Sequence, residues 1–135
     1  MRKHELPQES QVGRLKRRAD FLRVAAARRR WTAPCLVLQV CAQPAPSEPE
    51  AAIAEPIRVG FTASRKVGNA VKRNRARRRL KAVAAELIPG RAKPGLDLVL
   101  IARTATVDCP FDDLRRDLIQ SLERTKAARP KRDSQ

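Results

Sequence analysis

The sequence predicts a small α/β protein. The expected form is a two-layer α/β (α+β) sandwich with a small mixed β-sheet, in the order helix, strand, strand, helix, strand, helix. Three observations predict it. The 135 residues fit one domain, and 42% hydrophobic content supports a modest core. Three short apolar runs, at 35–42, 57–63 and 96–102, read as strands. Between and around them, apolar residues recur at helical spacing.

Taken in order, residues 1–13 are polar, contain Pro7 and Gly13, and predict a disordered tail ahead of a single domain at 14–124. From Arg14 to Arg30 eight residues are basic and one is acidic. Leu15, Ala19, Leu22 and Ala26 form a narrow helical stripe there, with Phe21 and Val24 beside it. CLVLQVCA at 35–42 is apolar with β-branched content, hence a strand. Gln43 to Pro56 holds four prolines, three glutamates and no basic residue, which predicts an extended acidic loop. IRVGFTA at 57–63 places Ile57, Val59 and Phe61 on one face. Antiparallel pairing of these two consecutive strands is the default expectation.

A helix should start near Gly68 or Asn69, with Asn69 as N-cap, and stop before Pro89-Gly90. Within it Ala76, Leu80, Val83, Ala84 and Leu87 share an arc of about 100°, wide enough to pack on a sheet. LDLVLIA, Leu96 to Ala102, is the third strand. Thr104 to Pro110 reads as a turn. Asp108 or Asp112 could cap a last helix carrying Phe111, Leu114, Leu118, Ile119 and Leu122. Residues 125–135 read as a basic, frayed tail.

Charge narrows the function. Lys and Arg number 30 against 14 Asp and Glu, a net +16 that calls for a polyanion, nucleic acid before an acidic protein. His4 is the one histidine and falls in the tail, which argues against His-based catalysis. Cys35, Cys41 and Cys109 lack metal-ligand spacing and read as buried, reduced thiols. No apolar run approaches membrane-helix length, and Met1 to Ser10 lacks the apolar core of a secretory signal. A cytoplasmic protein without membrane contact is expected. Asp97, Asp108, Asp112, Asp113 and Asp117 could suggest a self-sufficient nuclease, but they lack a surrounding constellation and read as caps and surface charge.

The most informative stretch is SRKVGNAVKRNRARRRLK, 64–81. Nine of the 17 residues from Arg65 to Lys81 are basic and none is acidic. On a helix, Lys72, Arg73, Arg75, Arg77, Arg78 and Arg79 spread around most of the circumference. Cations near a helix N-terminus are disfavoured by about 0.3–1 kcal/mol each. Like charges at i, i+4, as in Arg73 with Arg77 and Arg75 with Arg79, add to this. A bound polyphosphate would offset the cost.

These residues resemble the signature of the protein subunit of bacterial ribonuclease P. The resemblance rests on Ser64, Arg65, Lys66, Gly68, Ala70, Val71, Arg73, Asn74 and Arg75, then Arg77 and Arg78. RVGFTAS before them and RLKRRADFLRV near the N-terminus match too, so it spans roughly 14–124. It implies a left-handed crossover around the central helix, against the usual right-handed rule. It also implies a subunit that binds a catalytic RNA, which removes the 5′ leader of precursor tRNA by magnesium-dependent hydrolysis. On this resemblance Lys72, Arg73, Asn74, Arg75, Arg77 and Arg78 bind the catalytic RNA. Phe21, Arg65 and Lys66 bind the leader, the catalytic residues lie in the RNA, and the RNA holds the magnesium. Ala25 and Gln39 stand where many relatives have aromatics. A ribosomal-type RNA-binding protein is the alternative, but it leaves the SRKxGxAVxRNR string unexplained.

Overall fold

The structure is a computed structural model and describes residues 12–43 and 57–129. The loop expected at 43–56 lies outside them apart from Gln43, as do residues 1–11 and 130–135. The chain forms β1 (Val12–Arg14), α1 (Arg18–Ala26), β2 (Arg29–Thr32), β3 (Leu36–Ala42) and β4 (Ile57–Thr62). A 3-10 turn (Arg65–Val67) then leads into α2 (Ala70–Arg91) and β5 (Leu96–Ala102). A second 3-10 turn (Thr104–Val107) precedes α3 (Phe111–Arg124).

The five strands make one mixed sheet in the order β1-β4-β5-β3-β2. β5 is parallel to β4 and antiparallel to β3. The expected direct pairing of the 35–42 and 57–63 strands is therefore corrected: β5 lies between them. Its fully buried Leu98 and Leu100 take the centre of the sheet, where both neighbours satisfy its backbone groups.

Strand alternation sorts side chains onto two faces. Leu36, Leu38, Val40, Ile57, Val59, Leu98 and Leu100 face α2 and α3 and form the main core. The stripe expected on α2 is the buried one: Ala76, Leu80, Val83, Ala84 and Leu87, joined by Ile88. On α3, Leu114, Leu118 and Leu122 are buried, while Phe111 and Ile119 flank them. The sandwich of sheet and helices is thus present, and α1 adds a short helix on the opposite face, where Leu15, Val24 and Val99 form a second cluster with Phe21 packed on it.

Several local expectations change. Val12 and Gly13, expected in the tail, pair in parallel with Ile57 and Arg58 and cover the β4 edge. The helical reading of 14–30 holds only for Arg18–Ala26. Arg28, at φ 60°, turns the chain so that Arg29–Thr32 can pair with β3. Ala19, Leu22 and Ala26 are exposed, and the inward side of α1 is Phe21 and Val24. α2 runs past Pro89-Gly90 to Arg91. A proline there removes one hydrogen bond, that to the Ala85 carbonyl, and the buried Leu87 and Ile88 hold the last turn in place. α3 begins after Pro110, with no side-chain cap from Asp108 or Asp112. Residues 125–129 are packed: Ala127 is fully buried and Ala128 bridges to Ala92.

Candidate nucleic-acid interface

The segment from Ser64 to Asn69 is a device for starting α2 directly beyond β4. The Ser64 hydroxyl accepts from the Lys66 backbone N–H (3.3 Å), and Val67 is buried. Gly68 has φ 146°, where L side chains are strained, and a Cβ there would meet Lys72 at 2.7 Å. Asn69 Oδ1 accepts from the Lys72 backbone N–H at 3.0 Å, the expected N-cap. The motif therefore divides in two. Ser64, Val67, Gly68 and Asn69 shape the backbone, and the residues between and after them carry charge.

Those charges differ in their commitments. Arg65, Lys66, Lys72 and Arg78 are exposed and Arg73 is half-buried. Among the described residues, no carboxylate pairs with any of these five, nor with Arg75 or Arg77. Arg77 donates to Asn74 Oδ1 at 2.6 Å, so two predicted RNA contacts support each other. Arg75 Nε donates to the Val107 carbonyl at 2.8 Å. Arg79 donates to the same carbonyl at 3.0 Å and to that of Cys109, with Phe111 beneath it. The structural role of Arg79 had no sequence signal, because its partners are backbone carbonyls some 30 residues away. Val71 is 75% exposed amid these cations.

Phe21 lies on the other side of the sheet. Its ring sits over Gly60, where an added Cβ would come within 2.5 Å of it. Only glycine lets an aromatic ring approach a strand this closely. Arg65 and Lys66 lie beyond the end of β4, five and six residues after Gly60, so the three predicted leader residues follow one strand without forming a single cluster.

α1 is held above the sheet by a buried carboxylate. Asp97 is fully buried and pairs with Arg58 at 2.7 Å and with Arg23 of α1. On Arg58 the Asp97 hydrogen bond raises the pKa. On Arg23 burial lowers it, and Asp97 more than compensates. Arg23 also donates to Cys41 Sγ (3.3 Å) and the Ala42 carbonyl (3.1 Å). Cys35 is sealed in the core: burial, then the neighbouring Cys109 and Asp117, pushes its thiol up to about 12. All three cysteines are free; Cys35 is buried as expected, but Cys41 and Cys109 are only partly so.

A mixed sheet carrying a cationic, acid-free helix start makes this a small basic α/β protein whose charge suits a polyanion. The ribonuclease P family model matches residues 10–126. A ribonuclease P protein component from Paramagnetospirillum magneticum is 50% identical over 118 residues, covering 87% of this chain and 86% of that one. One from Ruegeria pomeroyi is 43% identical over 122 residues, covering 90% and 92%. The solved RNase P protein of Staphylococcus aureus superposes with a TM-score of 0.67 at 24% identity, over 86% of this chain and 97% of that one. That of Thermotoga maritima gives 0.62 at 22%, over 79% and 92%. The chain belongs to the ribonuclease P protein family, and its role is in the ribonuclease P ribonucleoprotein.

No described helix is long and apolar enough to cross a membrane.

Proposed function

We propose that, within the ribonuclease P ribonucleoprotein, this chain binds the catalytic RNA through the start of α2 and holds the 5′ leader of precursor tRNA, while the RNA performs the hydrolysis. The observation that carries this reading is the set of cations on Lys72, Arg73, Arg75, Arg77 and Arg78, beside Arg65 and Lys66, that no carboxylate pairs among the described residues. Arginine forks suit phosphate and stack on bases, and structured RNA is recognised through shape and phosphate. The leader would run past Phe21 toward Arg65 and Lys66, as single strands follow basic grooves with aromatic platforms.

Magnesium belongs to the RNA in this reading. Among the described residues no three His, Cys, Asp or Glu side chains converge, and Asp20, Glu86, Asp97, Asp112, Asp113 and Asp117 face arginines. These carboxylates are committed to arginines, which supports leaving the metal chemistry to the RNA. In this reading the chain acts in the cytoplasm.

The test is precursor tRNA cleavage at low magnesium by the chain alone, by a bacterial ribonuclease P RNA alone, and by both. The expected result is no cleavage by the chain and faster cleavage by the pair than by the RNA. Cleavage by the chain alone, or no gain from adding it, would overturn the proposal.

A further inference from the structure

A cavity of about 390 Å³ opens between the β1–β4 edge and the second half of α2. That size falls in the ~300–1,000 Å³ range of small-ligand clefts. Its floor is apolar, with Phe61, Val59 and Ala84, and its rim carries Arg14 and Lys81. The Arg14 guanidinium lies over the Phe61 ring, 5.5 Å from its centre, so the two form one cation–π stack that a planar ligand can extend on the guanidinium side. The cavity exists because Ala84 and Ala85 are small. Pro89, which also lines it, leaves the Ala85 carbonyl without its i+4 donor, an acceptor at the wall.

Position identifies the occupant. Arg77, Lys81 and Ala85 follow one another at i, i+4 along α2. That row starts in the basic motif and ends in the cavity. Phe21 and α1 lie on the opposite face of the sheet, so a strand held there does not reach it. We propose that the cavity receives one unstacked nucleotide of the catalytic RNA, its base stacked on the Arg14 guanidinium that covers Phe61 and its phosphate on Lys81. This rests on the catalytic RNA being the partner of α2.

The test uses the full chain. Ala85→Trp fills the cavity and Lys81→Ala strips its rim; both positions are exposed. Each should lower affinity for the catalytic RNA alone, about tenfold for the lost stacking in Ala85→Trp. Melting temperature and the preference for precursor over mature tRNA should not change. A benzophenone side chain introduced at Ala85 should crosslink to the catalytic RNA. If Ala85→Trp melts early, Lys81→Ala and the crosslink decide. Unchanged affinity in folded variants overturns the inference, as does a crosslink to the leader or to the chain itself. If Arg73→Ala still weakens RNA binding in that event, the cavity alone is misassigned; if it does not, the wider reading fails with it.

Discussion

Arg73 and Arg75 sit two residues apart in the same motif, yet the structure separates what their removal should do. Among the described residues Arg73 has no carboxylate partner, and it lies one turn from Arg77 near the α2 N-terminus. Arg73→Ala relieves about 0.2–0.5 kcal/mol of i, i+4 repulsion, against some lost packing of its stem. Its melting temperature should hold or rise slightly. Arg75 Nε donates to the Val107 carbonyl, which also accepts from Arg79 and so is not orphaned when Arg75 goes. Arg75→Ala should therefore cost only about 1 kcal/mol, or about 2–6 °C for a chain of this size. RNA binding supplies the second axis. With about five phosphates neutralised, log K should fall with log salt at a slope of about −3.5 to −4.5, and each lost contact should flatten it by about 0.7–0.9. The assays are thermal melting and salt-titrated affinity for the catalytic RNA on both variants. Early melting of Arg73→Ala with unchanged affinity and slope would refute the reasoning.

Phe21→Ala should lower the melting temperature, since the ring is packed on Leu15, Val24 and Val99, and should also cost about 1–3 kcal/mol of leader binding. Precursor and mature tRNA affinities measured side by side check the second part. Gly60→Ala should destabilise by about 1–3 kcal/mol through collision with that ring, and the penalty should shrink in a Phe21→Ala background. Asp97→Asn breaks the buried pairs with Arg58 and Arg23 and should cost about 3–5 kcal/mol, with faster amide exchange across α1. Cys35 should alkylate far more slowly than Cys41 or Cys109. Because its folded pKa is raised from 9.0 to about 12, its contribution to stability is full below the unfolded thiol's pKa and is lost as pH rises above it.

What the sequence made legible follows from local signal. Leu96–Ala102 and Leu36–Ala42 are continuous apolar runs, and the α2 stripe repeats over three turns, so periodicity finds them. The start of α2 was legible because Asn69 caps by chemistry internal to four residues. β1 was not: three residues, Val12-Gly13-Arg14, become a strand only because β4 offers an open edge. β2 was hidden because Arg29 and Arg30 read as part of a basic helix. Arg29 in fact donates to the Thr125 and Lys126 carbonyls, fastening a tail that also looked free. Strand order likewise depends on contacts far apart in sequence. At the interface, the cations were legible as a group, but their division between backbone carbonyls and open solvent was not.

The two long helices of this chain start by opposite rules. α3 opens with Asp112 and Asp113 in its first turn, where the helix dipole favours anions. α2 opens with no acid in its first turn and adds Lys72, Arg73 and Arg75 at once. Composition does not force this difference. The described carboxylates gather elsewhere: Asp97 between Arg58 and Arg23, and Glu86, Asp112, Asp113 and Asp117 around Arg115 and Arg116. Exchanging even one pair of residues between the helices would relieve α2. The backbone at that end is nonetheless tightly specified, by the Ser64 turn, Gly68 at φ 146° and the Asn69 cap. A segment held so firmly while its electrostatics stay unfavourable suits an anionic partner that its described neighbours do not provide. On the proposed function, phosphates of a folded RNA would supply that charge, and with them bound the start of α2 would meet the same dipole rule that α3 satisfies alone.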